Sequence, residues 1–179
     1  MKSLVCGFVA GLVLLSCQED ERINQEFTGN ETVYSLHQGS DYLVDGTATF
    51  KQKQDGSTLV VVSISGTEGS VEHPVHLHLG NISSPGVEVA ALLNPVIGKT
   101  GVSETLLTQL SDETKVTYKD LVQMNASIKV HLAASGPDRD VILAGGNVGS
   151  AAVVDFSTGP SYIGACSSDS KEVSEIETD

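Results

Sequence analysis

The chain has 179 residues with 10 basic and 23 acidic side chains, which gives a formal net charge of −13 at pH 7. This acidic balance argues against nucleic acid and anionic lipid surfaces as partners, because their negative charge would repel the chain. The length suits a single domain that is large enough to bury a hydrophobic core of its own.

The N-terminal residues 1–16 have the composition of a secretory signal peptide. Lys2 provides a short positive start, and Leu4–Leu15 is an apolar run that only glycines and one cysteine interrupt. The run is too short to cross the roughly 30 Å hydrocarbon core of a bilayer as a transmembrane helix. It ends in Leu14-Leu15-Ser16-Cys17, which resembles the lipobox of bacterial lipoproteins. The resemblance implies cleavage before Cys17 and attachment of a diacylglycerol to its thiol. An ordinary signal peptide with an incidental cysteine is the alternative.

The resemblance to lipoproteins implies a location in the cell envelope, as an outer-membrane lipoprotein whose partner is the membrane that holds the lipid on Cys17. The residues that follow, Gln18–Glu21, are polar and acidic. They resemble the surface-export signal of lipoproteins of the Bacteroidetes group, which would place the chain on the cell surface. A solvated tether explains the same charges equally well.

Composition divides the rest of the chain into three parts. Residues 17–30 are predicted to form an acidic tether, residues 31–165 the folded domain, and residues 166–179 a disordered tail rich in serine and acidic side chains. Of the cysteines, Cys6 leaves with the signal peptide and Cys17 carries the lipid. Cys166 is therefore alone, and no intramolecular disulfide is expected.

Within the folded domain, apolar and polar residues alternate with a period of two, which indicates β-strands. Tyr42–Phe50 alternates in this way, Gln54–Ser57 has turn residues, and Leu59–Ile64 provides the return strand of a hairpin. Further strands are expected at Val75–Leu79, Val87–Leu93, Val102–Leu110, Ala126–Leu132, Val141–Leu143 and Ala151–Phe156.

Turn residues and one helical segment separate these strands. Asn94-Pro95 is expected to stop the strand before it, and the glycine-rich segment Gly145–Gly149 is interpreted as a turn or bulge. The helical signal is Tyr118–Met124, with Thr117 as its N-cap. Many short strands with glycine and proline between them favour an all-β fold, an antiparallel β-sandwich with one short helix.

Two histidines share one face of a predicted strand. In the segment His73–His78, His76 and His78 are two residues apart and point the same way, away from the apolar face of the strand. Their Cβ atoms are about 6.5–7 Å apart, a spacing that lets two imidazoles converge on one ion. His73 has the opposite parity, and Pro74 is expected to end the regular strand, so His73 is not predicted to be a ligand.

A third histidine has a matching position on a later strand. The strand that contains His131 has apolar side chains on one face and Lys129 and His131 on the other. If this strand lies beside that of His76 and His78, three imidazoles cluster outside the core. Such a cluster suits copper or zinc, so a metal ion is a candidate partner. The alternative is that these histidines are ordinary surface residues or bond to backbone at the end of the sandwich.

The order of these segments resembles two families. The histidine strand, the segment Pro85-Gly86-Val87, the strand ending in Val130-His131 and the segment Gly136–Arg139 are similar to the CHRD domain, the module first named in chordin. They also resemble the copper/zinc superoxide dismutase sandwich. The resemblance spans Val33–Val148 and implies a Greek-key β-sandwich of the dismutase-like or CHRD-like type.

The resemblance to the dismutase implies roles for individual residues. His76, His78 and His131 match its copper ligands, and Arg139 falls near the position of an arginine that attracts superoxide. No histidine or cysteine occurs between His78 and His131, where the dismutase has its bridging histidine, its zinc-site histidines and a disulfide cysteine. A zinc site of the dismutase type is therefore excluded. The ending Asp140–Gly146 also departs from the CHRD pattern.

Three functions stay open from the sequence. The first is a lipid-anchored, non-catalytic CHRD-like module with a binding or structural role in the envelope, with or without a transition metal. The second is a copper protein, either a dismutase-like enzyme or a copper carrier. The third is a surface adhesin that uses a sheet face as its contact. The sequence contains no nucleophile elbow, phosphate-binding loop or dinucleotide motif, so no catalytic residue is assigned.

Overall fold

The computed structural model describes residues 26–154, of which residues 153 and 154 are described without their side chains. The strands are β1 (Phe27–Gln38), β2 (Asp45–Lys53), β3 (Thr58–Ser65), β4 (Glu72–Leu79), β5 (Val89–Ile97), β6 (Val102–Leu107), β7 (Asn125–His131) and β8 (Ile142–Gly149). The helix α1 (Tyr118–Gln123) precedes β7, and the 3-10 helices Pro137–Asp140 and Ser150–Val154 flank β8. The predicted signal peptide, Cys17 and the predicted acidic tail lie outside the described residues. Within residues 26–154, no helix is long and apolar enough to cross a membrane.

The strands pair in antiparallel fashion in the order β1-β2-β3-β6-β5-β4-β7-β8, and β8 closes on β1. The predicted all-β, antiparallel fold with one short helix is confirmed for the described residues. The predicted division into the two sheets of a sandwich is not confirmed, because the strands form one closed barrel.

Two strand pairings in the barrel are short. β5 and β6 share the single residue pair Ile97↔Val102, and β1 and β8 share the pairs His37↔Gly145 and Gln38↔Ala144. Alternation of apolar residues indicates which face is buried but not whether two sheet edges meet.

The barrel interior is filled by the inward side chains of the alternating strands. On β3, Val60, Val62 and Ile64 are buried, and on β4, Val75 and Leu77 are buried. Burial of each such side chain stabilises the fold by about 1.5–3 kcal/mol relative to exposure. The period-two alternation therefore determines which face of each strand packs inward.

The predicted hairpin is formed by β2 and β3. Asp55 stabilises its turn, because its carboxylate accepts hydrogen bonds from the backbone nitrogen and the hydroxyl of Ser57 at 2.9 and 2.6 Å. The first strand of the hairpin, β2, begins at Asp45, which is later than predicted. Tyr42, which was expected to lie in this strand, is exposed and precedes it. The residues before β2 make a tight turn instead, in which the Val44 nitrogen donates to the Tyr42 oxygen at 2.9 Å.

The predicted helix is confirmed as α1, with Thr117 as its N-cap. Thr117 and Asp120 form a capping box. The Thr117 backbone nitrogen donates to the Asp120 carboxylate at 2.8 Å, and the Asp120 backbone nitrogen donates to Thr117 Oγ1 at 3.4 Å. Tyr118 Oη lies 2.7 Å from Thr32 Oγ1 on β1, which holds the helix against the barrel.

Two predictions about prolines are wrong. β4 contains Pro74, and β5 continues through Asn94-Pro95 to Ile97. The register of β4 with β5 shifts between His73 and Val75. Both prolines therefore lie where the pairing of β4 with β5 is irregular. At such a position the strand does not need the backbone N–H group that proline lacks.

The glycine-rich segment Gly145–Gly149 is strand rather than the predicted turn, because it belongs to β8. A Cβ atom on Gly146 would lie 2.1 Å from the backbone oxygen of Ser35 on β1. The missing side chain lets β1 and β8 come close enough to close the barrel.

The ends of some elements also differ from the predictions. β1 begins at Phe27, so residues 27–30 of the predicted tether belong to the barrel. β6 ends at Leu107 rather than Leu110. Ser150–Val154 is a 3-10 helix where a strand was expected, since short apolar runs do not distinguish the two structures. Residues 155 and 156 of that expected strand lie outside the described range.

Candidate metal centre

Three histidines come together on two neighbouring strands. His76 and His78 lie on β4, His131 ends β7, and β4 pairs directly with β7. One ring nitrogen of each residue lies within 4.8 Å of the others. The ring centroids are 4.6 Å apart for His76 and His131, 5.7 Å for His76 and His78, and 6.5 Å for His78 and His131. The predicted meeting of the three imidazoles is therefore confirmed.

The cluster faces away from the barrel interior, as predicted, but it is not on an open surface. His78 is 0% exposed and His131 is 3% exposed, while His76 is half-buried. The loop of residues 80–88 between β4 and β5 folds back over this face. Its Ile82 is buried, and the Ile82 nitrogen donates to Asn147 Oδ1 on β8 at 2.7 Å. The outer face of the barrel thus has a second buried layer that alternation of residues in β4 does not indicate.

Two of the three imidazoles are oriented by backbone carbonyls. His131 Nδ1 lies 2.8 Å from the oxygen of Arg139, and His78 Nδ1 lies 3.2 Å from the oxygen of Val87. A carbonyl oxygen only accepts, so Nδ1 of each ring donates its proton and Nε2 carries the lone pair. Histidines that bind metals are held in this way, because the second-shell bond determines both the tautomer and the direction of the ring.

Burial keeps the three imidazoles neutral at pH 7. It is the main cause that lowers the pKa of His76 to about 4, and the neighbouring imidazoles His131 and His78 add to the effect. Burial likewise lowers the pKa of His78 to about 4. The hydrogen bond to Val87 acts in the opposite direction, and the charge of Lys129 lowers this pKa further. The pKa of His131 is also lowered, again mainly by burial. Neutral imidazole is the form that binds metal ions, so protons do not compete for this site at neutral pH.

The spacing of the rings fits one transition-metal ion after a small adjustment. Ligand nitrogens lie about 2.0–2.1 Å from a zinc ion, so two of them on one ion are at most about 4 Å apart. The 4.8 Å envelope of the cluster must therefore contract by at least about 0.6 Å, and by about 1.5 Å for tetrahedral angles at the ion. His76 is only half-buried, so its ring has room to make this movement. The three histidines lie close enough to bind a metal ion.

The cluster forms the floor of a cleft of about 300 Å³. Pro74, Val87 and Val89 contribute apolar walls, and Arg139 and Asp140 lie at the edge. Arg139 Nε is 3.5 Å from an Asp140 carboxylate oxygen, and both side chains are partly exposed. The arginine that the sequence resemblance singled out therefore lines the same cleft as the histidines.

The other described histidines are not part of the cluster. His73 is buried, and its Nδ1 lies 3.1 Å from the backbone oxygen of Leu132. His37 is exposed on β1. His73, which the sequence analysis did not assign as a ligand, lies outside the cluster.

Two residues near the cluster were not singled out by the sequence. Lys129 and Ser127 lie on β7 directly opposite His76 and His78, respectively, and both are fully buried. The Ser127 hydroxyl has no hydrogen-bond partner among the described residues. The sequence showed only that Lys129 and Ser127 alternate with the apolar residues of β7. This alternation places them on the outer face of the strand but predicts that the face is exposed, whereas it is buried.

Comparison of the chain with protein-family models, with curated proteins and with solved structures finds no match.

Proposed function

We propose that this protein is a lipid-anchored envelope module that binds a copper ion through His76, His78 and His131 in a non-catalytic binding or carrier role. The observation that carries the proposal is the orientation of His78 and His131, whose Nδ1 atoms are bonded to backbone carbonyls. Bonds of this kind position Nε2 for an ion and would be unnecessary for surface histidines.

The donor set supports copper over other ions. Three imidazoles provide nitrogen ligands of intermediate softness, which suit copper and zinc. Calcium and magnesium require oxygen ligands, which this cluster does not supply. Among divalent first-row ions, Cu²⁺ binds such sites most tightly. When bound, the ion would supply one-electron redox chemistry.

The strand order supports the finer relationship to the CHRD and dismutase families. β4, β5 and β6 are successive neighbours, and β7 returns to lie beside β4. A fourth strand that returns beside the first of three successive neighbours is the order expected in a Greek key, so it supports this part of the proposal. The lipobox-like segment that ends at Cys17 supports export and membrane attachment, with an outer-membrane location as part of the proposal.

Copper titration of the full chain, purified in detergent, tests the metal site. We expect one Cu(II) per chain with the EPR signature of nitrogen ligands. His78→Ala and His131→Ala should abolish this signal, whereas His37→Ala, which changes an exposed histidine outside the cluster, should leave it intact. Absence of binding tighter than micromolar in the unsubstituted chain would refute the proposal.

A dismutase-like activity is the second candidate function, and Arg139 favours it. Its side chain lines the cleft above the histidines, where a guanidinium would attract a small anion toward a bound ion. A superoxide assay on the copper-loaded chain distinguishes the two functions. Turnover that Arg139→Ala reduces while copper stays bound supports the enzyme, and absence of turnover supports the carrier.

A further inference from the structure

The three histidines of the cluster are held unequally. His78 and His131 are buried, and the Nδ1 atom of each donates to a backbone oxygen, at 3.2 and 2.8 Å respectively. His76 is half-buried, and its ring makes no hydrogen bond within the described part of the chain. Within the cluster, its contact is with the ring of His131, at 4.6 Å between centroids. Two rings are therefore fixed by the backbone, whereas the third is placed by packing alone.

The surroundings of His76 leave its ring room to move. The residue directly opposite on β5 is Leu92, which is 69% exposed, so the neighbouring strand does not cover the ring on that side. A second cleft, of about 220 Å³, lies here. It shares His76 and Ala134 with the cleft of about 300 Å³, but the other two histidines of the cluster do not line it. His76 thus borders one cleft that contains the other ligands and one that does not.

We propose that His76 is the exchangeable ligand of the site. Copper enters and leaves as the His76 ring swings between the two clefts, while His78 and His131 hold the ion. This inference rests on the proposed copper function and adds the route of release that a carrier needs. In the exchange, a nitrogen or oxygen donor of the acceptor gives its lone pair to the ion as the bond from a ring nitrogen of His76 breaks. The oxidation state of the ion does not change, so no further reactant is required.

The inequality of the ligands has an energetic basis. The bonds that orient metal-binding histidines from the second shell each contribute about 10–100-fold to metal affinity. His78 and His131 have such bonds in place before the ion binds. The ring of His76 must instead lose rotational freedom when it binds, and this loss opposes the gain from the new bond. His76 should therefore contribute least to affinity and detach first.

The test uses the full chain in detergent, loaded with one Cu(II), and four variants. Competition with nitrilotriacetate gives the dissociation constant, and stopped-flow mixing with excess EDTA gives the rate of copper transfer. His76→Ala and His78→Ala compare the two kinds of ligand. Ala134→Leu crowds the space around His76 without changing a ligand. Ser135→Leu adds the same bulk at an exposed neighbour that lines neither cleft.

We expect His76→Ala to bind one Cu(II) per chain with one nitrogen fewer in the EPR spectrum and to release it faster than the unsubstituted chain. Its affinity should be higher than that of His78→Ala by at least about 10–100-fold, the contribution of the missing second-shell bond. Equal losses of affinity in the two variants would refute the unequal roles of the ligands.

Ala134→Leu should slow the transfer by about tenfold, which corresponds to an increase of about 1.4 kcal/mol in the barrier. Its dissociation constant should not change, because the crowding slows entry and release alike. Ser135→Leu should transfer copper at the rate of the unsubstituted chain. If Ala134→Leu transfers at that rate too, or if both variants are slowed equally, the role of His76 is wrong while the copper site stands. If the unsubstituted chain binds no Cu(II), the proposed function itself fails.

Discussion

His131 Nδ1 donates to the backbone oxygen of Arg139 at 2.8 Å, so the ring of a candidate ligand is held by the main chain of the 3-10 helix between β7 and β8. The bond does not involve the Arg139 side chain. The orientation of the ligand and the charge at the edge of the cleft are therefore separable by mutation.

Arg139→Ala should leave copper affinity almost unchanged, because the carbonyl that orients His131 stays in place. We expect the dissociation constant to change by less than about threefold, which corresponds to under about 0.7 kcal/mol. The matched comparison is His131→Ala, which removes the ligand and should eliminate the site. A loss of affinity above about tenfold in Arg139→Ala would show that the guanidinium contributes to metal binding directly.

The stability of the metal-free protein should decrease as the pH falls from about 6.5 to about 4. Burial lowers the pKa of His76 and His78 to about 4 in the folded state, whereas histidine in an unfolded chain has a pKa near 6.5. Between these values the unfolded chain binds more protons than the folded one. By linkage, the contribution of these histidines to the free energy of unfolding rises with pH in this window and is constant above it.

Urea denaturation at several pH values between 4 and 8 measures this effect. His78→Gln removes one of the titrating groups and should make the decrease shallower. His37→Gln, a change at an exposed histidine outside the cluster, should preserve it. A profile for the unsubstituted chain that is flat through this window would contradict the assignment of neutral, buried imidazoles.

Gly146→Ala should destabilise the barrel strongly. The new Cβ would lie 2.1 Å from the Ser35 oxygen and 3.3 Å from the Leu36 side chain, so β1 and β8 would have to separate. We expect a loss above about 3 kcal/mol in the free energy of unfolding. Gly69→Ala is the comparison, because Gly69 has a positive φ of 73° but open space around it. Its cost should be only the backbone strain of about 1–2 kcal/mol, and equal losses in both variants would disprove the close-approach explanation.

Cys17→Ser should abolish lipid attachment and release the protein from the membrane fraction. In the proposed lipoprotein the thiol is the acylated group, and the acyl chains supply the affinity for the bilayer. Growth with a labelled fatty acid followed by gel analysis measures incorporation. Cys166→Ser provides the control and should remain labelled. Label retained in the Cys17→Ser variant would contradict the interpretation of the lipobox.

Several parts of the fold and the site were predictable because they depend on local pattern. The hairpin of β2 and β3 follows from two alternating runs around a turn, and α1 follows from its capping residue Thr117. The shared orientation of His76 and His78 follows from strand geometry alone. These features need contacts only between residues close together in the chain.

Other features depend on contacts between distant residues, and local pattern does not contain them. A glycine-rich run resembles a turn until its close approach to β1 at Ser35 is known. Likewise, Lys129 alternates as a surface residue would, and its burial follows from neighbouring strands and from the packing around it.

The sequence by itself determined that His76 and His78 share a face, that His131 lies on a matching face, and that the strands alternate around a core. Only the tertiary structure decided that β4 and β7 are neighbours, that the loop of residues 80–88 folds back over the histidine face, and that the sheet closes into one barrel. The physical reason is that a period of two assigns each side chain to a face. Which strands lie side by side, and what covers them, depends on packing between segments far apart in the chain.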